Sequence, residues 1–162
     1  MSILRTIADL SQRLPLVEAV VAVDMVLRLR LVDLPGLLGL AATRAGRMGV
    51  VRLRRVVELA DPAAESAMET RLRVLLVLGG LSRPRAQVRL HDERGRFLGR
   101  PDLYYPAHRL GIEYDGGTHR DRLVNSGFRL LRYTASDVLG SPEQVIRQVR
   151  AALGSPKAPE GL

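Results

Sequence analysis

The pattern of apolar and polar positions divides the chain into a helical first part and a mixed second part. Ile3, Ile7, Leu10 and Leu14 follow one another at helical spacing, as a single apolar stripe. Pro15 then stands where a first helical turn tolerates proline, and Val17, Val20 and Val21 carry a second helix toward Arg30. Asp33 is placed to cap a third helix, with Pro35 near its start and Gly46 near its end. Residues 50–60 form a fourth, with Arg52, Arg54 and Arg55 on its polar side. The segment Asp61-Pro62-Ala63-Ala64 marks the best boundary.

Beyond it the period changes. Ser66-Ala-Met-Glu69 opens a helix through Leu72, Leu75, Leu76 and Leu78 that stops at Gly79-Gly80. Extended segments are expected at 86–91 and at 96–105, the latter broken by Pro101, and a third at 110–115. A short helical segment near 118–126 leads past Gly127 to a buried strand, Phe128–Thr134. Ser141-Pro142-Glu143-Gln144 opens a last helix to about Leu153. The expected order, αβββαβα, is a mixed α/β domain of the α+β type. The organisation is a helical N-terminal region 1–60, the mixed domain 61–154, and a Pro/Gly tail 155–162 expected to be flexible.

Composition narrows the function classes. With 46% hydrophobic and 26% charged residues in 162, the chain has the material for a packed core. The absence of cysteine excludes a disulfide scaffold, thiolate zinc sites and cysteine nucleophiles. Glu18, Asp24 and Arg28 interrupt the longest apolar stretches, short of the about 20 apolar residues a membrane helix needs. No signal-peptide pattern opens the chain, and the expected location is the cytoplasm. No GxxxxGKS/T, GxGxxG or GxSxG is present.

The net charge is +8, and every one of the 25 cations except Lys157 is arginine. Arginine presents a planar fork of donors to phosphate, so the excess points to a polyanion, with a solvated basic face as the plain alternative. Residues 71–109 hold nine arginines against Asp92, Glu93 and Asp102. Nucleic acid, most plainly DNA, is the expected partner, with Arg71, Arg73, Arg83, Arg85 and Arg100 as candidate backbone contacts.

The carboxylates carry the chemistry. If residues 106–109 form a turn, 105 faces 110, and by the same count Asp102 faces Glu113 with Cβ atoms ~4.5–5.5 Å apart. Asp115, two residues on, would share that face. Three clustered carboxylates repel unless a cation lies between them, and Mg²⁺ or Mn²⁺ suits hard oxygen donors. The competing reading pairs Asp102 with Arg100 or Arg109 and treats Asp115-Gly116 as a turn signal. Glu69 has two compatible readings, as the third helical residue of a capping box or as a further acid over the sheet.

The stretches SAMETRLRVLL, GRPDLYYPAHRLGIEYDGGTH and GFRLLRYTASDVLGSPEQVIRQVRAAL together resemble a known family. From Ser66 to Leu153 the chain is similar to the very-short-patch-repair-like endonuclease domains of the PD-(D/E)XK superfamily, and looks most like the bacterial branch called domain of unknown function 559. The resemblance implies a restriction-endonuclease-like core and metal-dependent hydrolysis of DNA. It makes Glu69 the first-helix acid, Asp102 the motif aspartate, Glu113 the second acid, and the Tyr114 carbonyl a metal ligand. It also makes Asp115 and His119 candidates to orient or deprotonate the attacking water.

Two departures from the family pattern stand out. Asp115 occupies the position where the superfamily usually has lysine. The crossover spans only residues 116–127, at the lower limit of about 10–12 residues for such a connection, and shorter than in similar proteins. The N-terminal helices look like the region that follows an antitoxin-like winged helix in longer relatives. They suggest a truncated relative and a protein partner bound through those helices. The rival functions are therefore an inactive nucleic-acid-binding module on the same fold and a toxin–antitoxin-like regulator.

Overall fold

The computed structural model describes residues 2–46, 48–115 and 120–154. The chain forms two compact units, 1–74 and 75–162, divided inside one continuous helix.

In the first unit the four expected helices form close to their expected bounds: α1 (Ile3–Arg13), α2 (Leu16–Arg28), α3 (Leu34–Thr43) and α4 (Val50–Leu59). Each local signal has its structural counterpart. The carbonyl of Pro15 accepts the first bond of α2, from Ala19 N. Asp33 Oδ1 accepts from Gly36 N at 2.8 Å, capping α3. Ile7 and Ala8 of α1, Val20 and Val23 of α2, Leu37 of α3 and Leu53 and Val56 of α4 are buried as the unit's core. A cleft of about 210 Å³ runs between α1 and α2, lined by Ile3, Leu10, Ala22, Val26 and Leu31 among others.

The unit boundary lies later than the Asp61-Pro62 signal suggests, and a buried charge explains why. Asp24 on α2 is fully buried and gathers donors from downstream in the chain. Asp61 N donates to its Oδ1 at 2.8 Å; Thr70 Oγ1 donates to Oδ2 at 2.8 Å, and Arg73 Nη2 donates to the same oxygen at 2.6 Å. Arg73 also donates to the Leu59 carbonyl. These bonds draw residues 61–73, including the first half of α5 (Ala67–Leu78), into the helical unit.

The second unit is of mixed α and β type. Its four-stranded sheet has the order β1 (Arg85–Ala86), β4 (Leu103–Tyr105), β5 (Leu110–Tyr114), β6 (Arg129–Tyr133). The pairs β1–β4 and β4–β5 are antiparallel, and β5–β6 is parallel. The three strands expected before the crossover are five short ones, because two breaks interrupt them. Gln87 takes φ +55 and ends β1, so Leu90–His91 becomes β2 of a separate hairpin with β3 (Phe97–Gly99). Pro101, which has no N–H for a ladder, separates β3 from β4.

After the crossover helix α6 (Arg120–Asn125), Gly127 turns the chain at φ +82 into β6. One helix was not expected, α7 (Ala135–Gly140). Its signal was present in the chain as Thr134-x-x-Asp137, which forms a full capping box. The last helix, α8 (Pro142–Gly154), starts at the expected proline, and Ile146 packs so closely on Gly79 that a Cβ there would lie 2.8 Å from it. The tail expected at 155–162 lies outside the described residues, as does the start of the expected 118–126 helix. Among the described residues no helix is long and apolar enough to cross a membrane.

Candidate functional site

The site begins with the turn between β4 and β5. Pro106–His108 form a single 3-10 turn, and Arg109 closes it in the left-handed region at φ +48. This sets the register Tyr105↔Leu110, Tyr104↔Gly111 and Leu103↔Ile112, the one the sequence count assumes. Continued by one residue, it brings Asp102 opposite Glu113. Asp102 sits in the bend just before β4, held from two sides. Its Oδ2 accepts from Tyr114 N at 2.8 Å, and its Oδ1 accepts from Gln87 Nε2 at 3.3 Å. Gln87 N also donates to the Asp102 carbonyl at 3.0 Å.

Glu113 is 6% exposed. In the parallel pair its register partner is Arg132 of β6, and partnered residues project to one face of a sheet. The Arg132 guanidinium stands 3.6 Å from Glu113 Oε2, and its side chain is 44% exposed against 8% for the glutamate. Burial pushes the Glu113 carboxyl above the usual carboxylate range. The charge of Arg132 opposes that shift, that of Asp102 adds to it, and that of Arg120 opposes it again. By alternation, Tyr104, Gly111 and Leu130 share this face. Gly111 is required there, since a Cβ would come within 2.6 Å of Leu130 and 3.0 Å of Pro101, the residue beside Asp102. Beneath lies an apolar cluster of Leu90, Leu98, Tyr104, Leu123 and Phe128, drawn from the hairpin, the sheet and α6.

Asp115 is placed differently from its expectation. Asp115 takes φ +50 just past the end of β5 and is exposed, so the alternation that would carry it to the face of Glu113 stops at Tyr114. His119 lies outside the described residues. Glu69 forms the local cap: Ser66 Oγ accepts from Glu69 N and donates to Glu69 Oε1, while Glu65 N donates to Oε2. It belongs to the helical unit. The Tyr114 backbone N–H is committed to Asp102.

Among the arginines, Arg73 is 1% exposed and bonded to Asp24, which removes it as a phosphate contact. Arg71 is held by both oxygens of Glu18, at 2.9 Å each. Arg83, Arg85 and Arg100 are exposed. Arg109, the alternative partner of Asp102, instead lies 4.2 Å over the Phe128 ring and donates to the Ser126 carbonyl.

Three residues that sequence reasoning passed over belong to the site. Arg132 meets Glu113 only through a parallel strand pair, for which the chain carries no local signal. Arg120, at the start of the crossover helix, acts on Glu113 through its charge. Gln87 reaches Asp102 because of its left-handed backbone, a conformation its residue type does not announce.

Among the described residues no group of three or more His, Asp or Glu is arranged to hold a metal. The pair that does form still suits a hard cation. Mg²⁺ typically takes one or two carboxylates and completes its shell with water and substrate phosphate oxygens. Asp102 and Glu113 offer two such ligands.

No protein-family model matches the chain. No solved structure matches it either. Two proteins from two strains of Mycobacterium tuberculosis, both named as uncharacterized, are each 38% identical to it over 74 residues, 46% of this chain. The match spans 27% of the length of each of these curated relatives.

Proposed function

We propose that the second unit is a metal-dependent nuclease that hydrolyses phosphodiester bonds in DNA. The observation that carries this reading is the pair Asp102 and Glu113, opposed across β4–β5 with Arg132 alongside. The resemblance of residues 66–153 to very-short-patch-repair-like endonucleases supports it, as does the net charge of +8. Asp102 and Glu113 would hold Mg²⁺ or Mn²⁺. That cation supplies Lewis acidity to the scissile phosphate and lowers the pKa of bound water. Tyr114 N–H and Gln87 fix the orientation of Asp102. Exposed Arg83, Arg85 and Arg100 offer backbone contacts that position DNA without reading bases.

The second reading is an inactive nucleic-acid-binding module on the same fold. The exposure of Asp115, in the position where the superfamily usually has lysine, favours it. Incubation of the protein with supercoiled plasmid and Mg²⁺ or Mn²⁺ separates the two, beside Asp102→Asn, Glu113→Gln and an EDTA control. The nuclease reading expects nicking by the wild type and a loss of at least about 100-fold in each variant, the scale for removing an electrostatic catalytic group. Wild type as inert as the variants, with DNA still bound in EDTA, leaves the binding module.

A further inference from the structure

Three acid–arginine pairs among the described residues differ in how tightly they are closed. Arg73 and Asp24 meet at 2.6 Å with both side chains at most 1% exposed, and Arg71 grips Glu18 through two contacts of 2.9 Å. Arg132 touches Glu113 at 3.6 Å only, well beyond the about 2.7–2.9 Å of a strong charge-assisted hydrogen bond. Its partner is buried while its own guanidinium faces solvent. Among the described residues that guanidinium makes no closer ion pair.

We propose, resting on the nuclease reading above, that Arg132 is a phosphate-binding residue of this site. It pairs with Glu113 in the free protein and moves to a non-bridging phosphate oxygen of the nucleic-acid backbone when Glu113 is occupied by a cation. Three features of the geometry support the exchange. Arg132 and Glu113 are register partners near the carboxyl ends of adjacent parallel strands, the end of an open sheet where ligands bind. The pairing is loose, so giving it up costs little. Once the carboxylate charge is neutralised by a bound cation, Arg132 is left with no partner among the described residues, and a phosphate diester supplies two non-bridging oxygens that its planar fork fits. Arg120, whose charge also reaches Glu113, adds a second cation to the same approach.

The test uses two binding measurements that do not depend on turnover. The first is calorimetric titration with Mn²⁺ at mildly alkaline pH, without DNA, for the wild type, Arg132→Ala and Arg132→Lys. The second is anisotropy of a short labelled DNA duplex across a salt series, with Ca²⁺ in place of the catalytic metal. In Arg132→Ala, Mn²⁺ is expected to bind several-fold more tightly, because the competing cation is gone. DNA is expected to bind more weakly, with the salt slope reduced by about 1, the signature of one lost phosphate contact. Arg132→Lys keeps the charge and should fall between. Thermal melting confirms that each variant is folded, and Arg132→Lys keeps the test open if Arg132→Ala is not.

An unchanged salt slope in Arg132→Ala, with Mn²⁺ bound by the wild type, overturns the proposal and leaves Arg132 a countercharge. Weaker Mn²⁺ binding by Arg132→Ala overturns it as well, making Arg132 a positioning residue for Glu113. A wild type that binds no Mn²⁺ removes the nuclease reading itself.

Discussion

Each unit of this protein takes an acid out of water beside an arginine, and the two solve the problem in opposite ways. Around Asp24 the helical unit closes every side: Asp61 N–H, the Thr70 hydroxyl and Arg73 all converge on it. Burial raises its pKa while Arg73 and the hydrogen bonds hold it down. Around Glu113 the sheet unit leaves the pair open. Among the described residues Arg132 is the side chain ion-paired with its carboxylate, loosely and with its own side chain partly in solvent. A buried charge with saturated hydrogen bonding serves architecture, since any partner removed leaves an uncompensated ion. A buried charge with one loose partner costs stability and gains something only when a ligand completes it.

The largest expected effect breaks the closed pair. Asp24→Ala leaves Arg73 buried and unpaired, and should destabilise the helical unit by about 3–5 kcal/mol in urea unfolding. A loss under 1 kcal/mol would show the pair to be as loose as the Glu113 one, and the contrast would disappear.

A second, smaller effect bears on the floor of the open site. Gly111→Ala pushes a methyl group against Leu130 and Pro101, for a cost of about 1–3 kcal/mol. Because Pro101 adjoins Asp102, Mn²⁺ affinity should fall with stability, whereas an equal disturbance at the Gly79–Ile146 contact should lower stability alone.

The smallest effect has the opposite sign. The folded protein holds the Glu113 proton more tightly than the unfolded chain does. The stability linked to this group is therefore full below the ordinary glutamate range and is lost as pH rises through the raised folded value. Glu113→Gln stays neutral at every pH and escapes that loss. It should melt above the wild type at neutral pH, with the difference closing in acid, even as nicking is lost. Equal melting temperatures at both pH values would mean that the site carries no electrostatic strain.

Much of the fold was legible because its signals are local. The stripe Ile3, Ile7, Leu10, the Asp33 cap and the Ser66–Glu69 box each involve residues within one or two helical turns, and all are present as read. The β4–β5 register was legible for the same reason, since the turn that sets it is only a few residues long. Strand alternation does not extend to Asp115, because its backbone turns left-handed, a conformation that residue spacing does not reveal. The charge of Arg73 is legible in the chain but its burial is not, because burial depends on Asp24 far along the sequence.

Thus the sequence alone determined the helices, their caps, the hairpin that opposes Asp102 to Glu113, and the basic character of the whole. Spacing along the chain is a sufficient cause for each of these. Tertiary structure decided that Asp24 would anchor residues 61–73, that Gln87 would hold Asp102, and that Arg132 would stand beside Glu113. Those outcomes depend on which distant segments become neighbours and which charges lose their water, and neither is a property of any short stretch of chain.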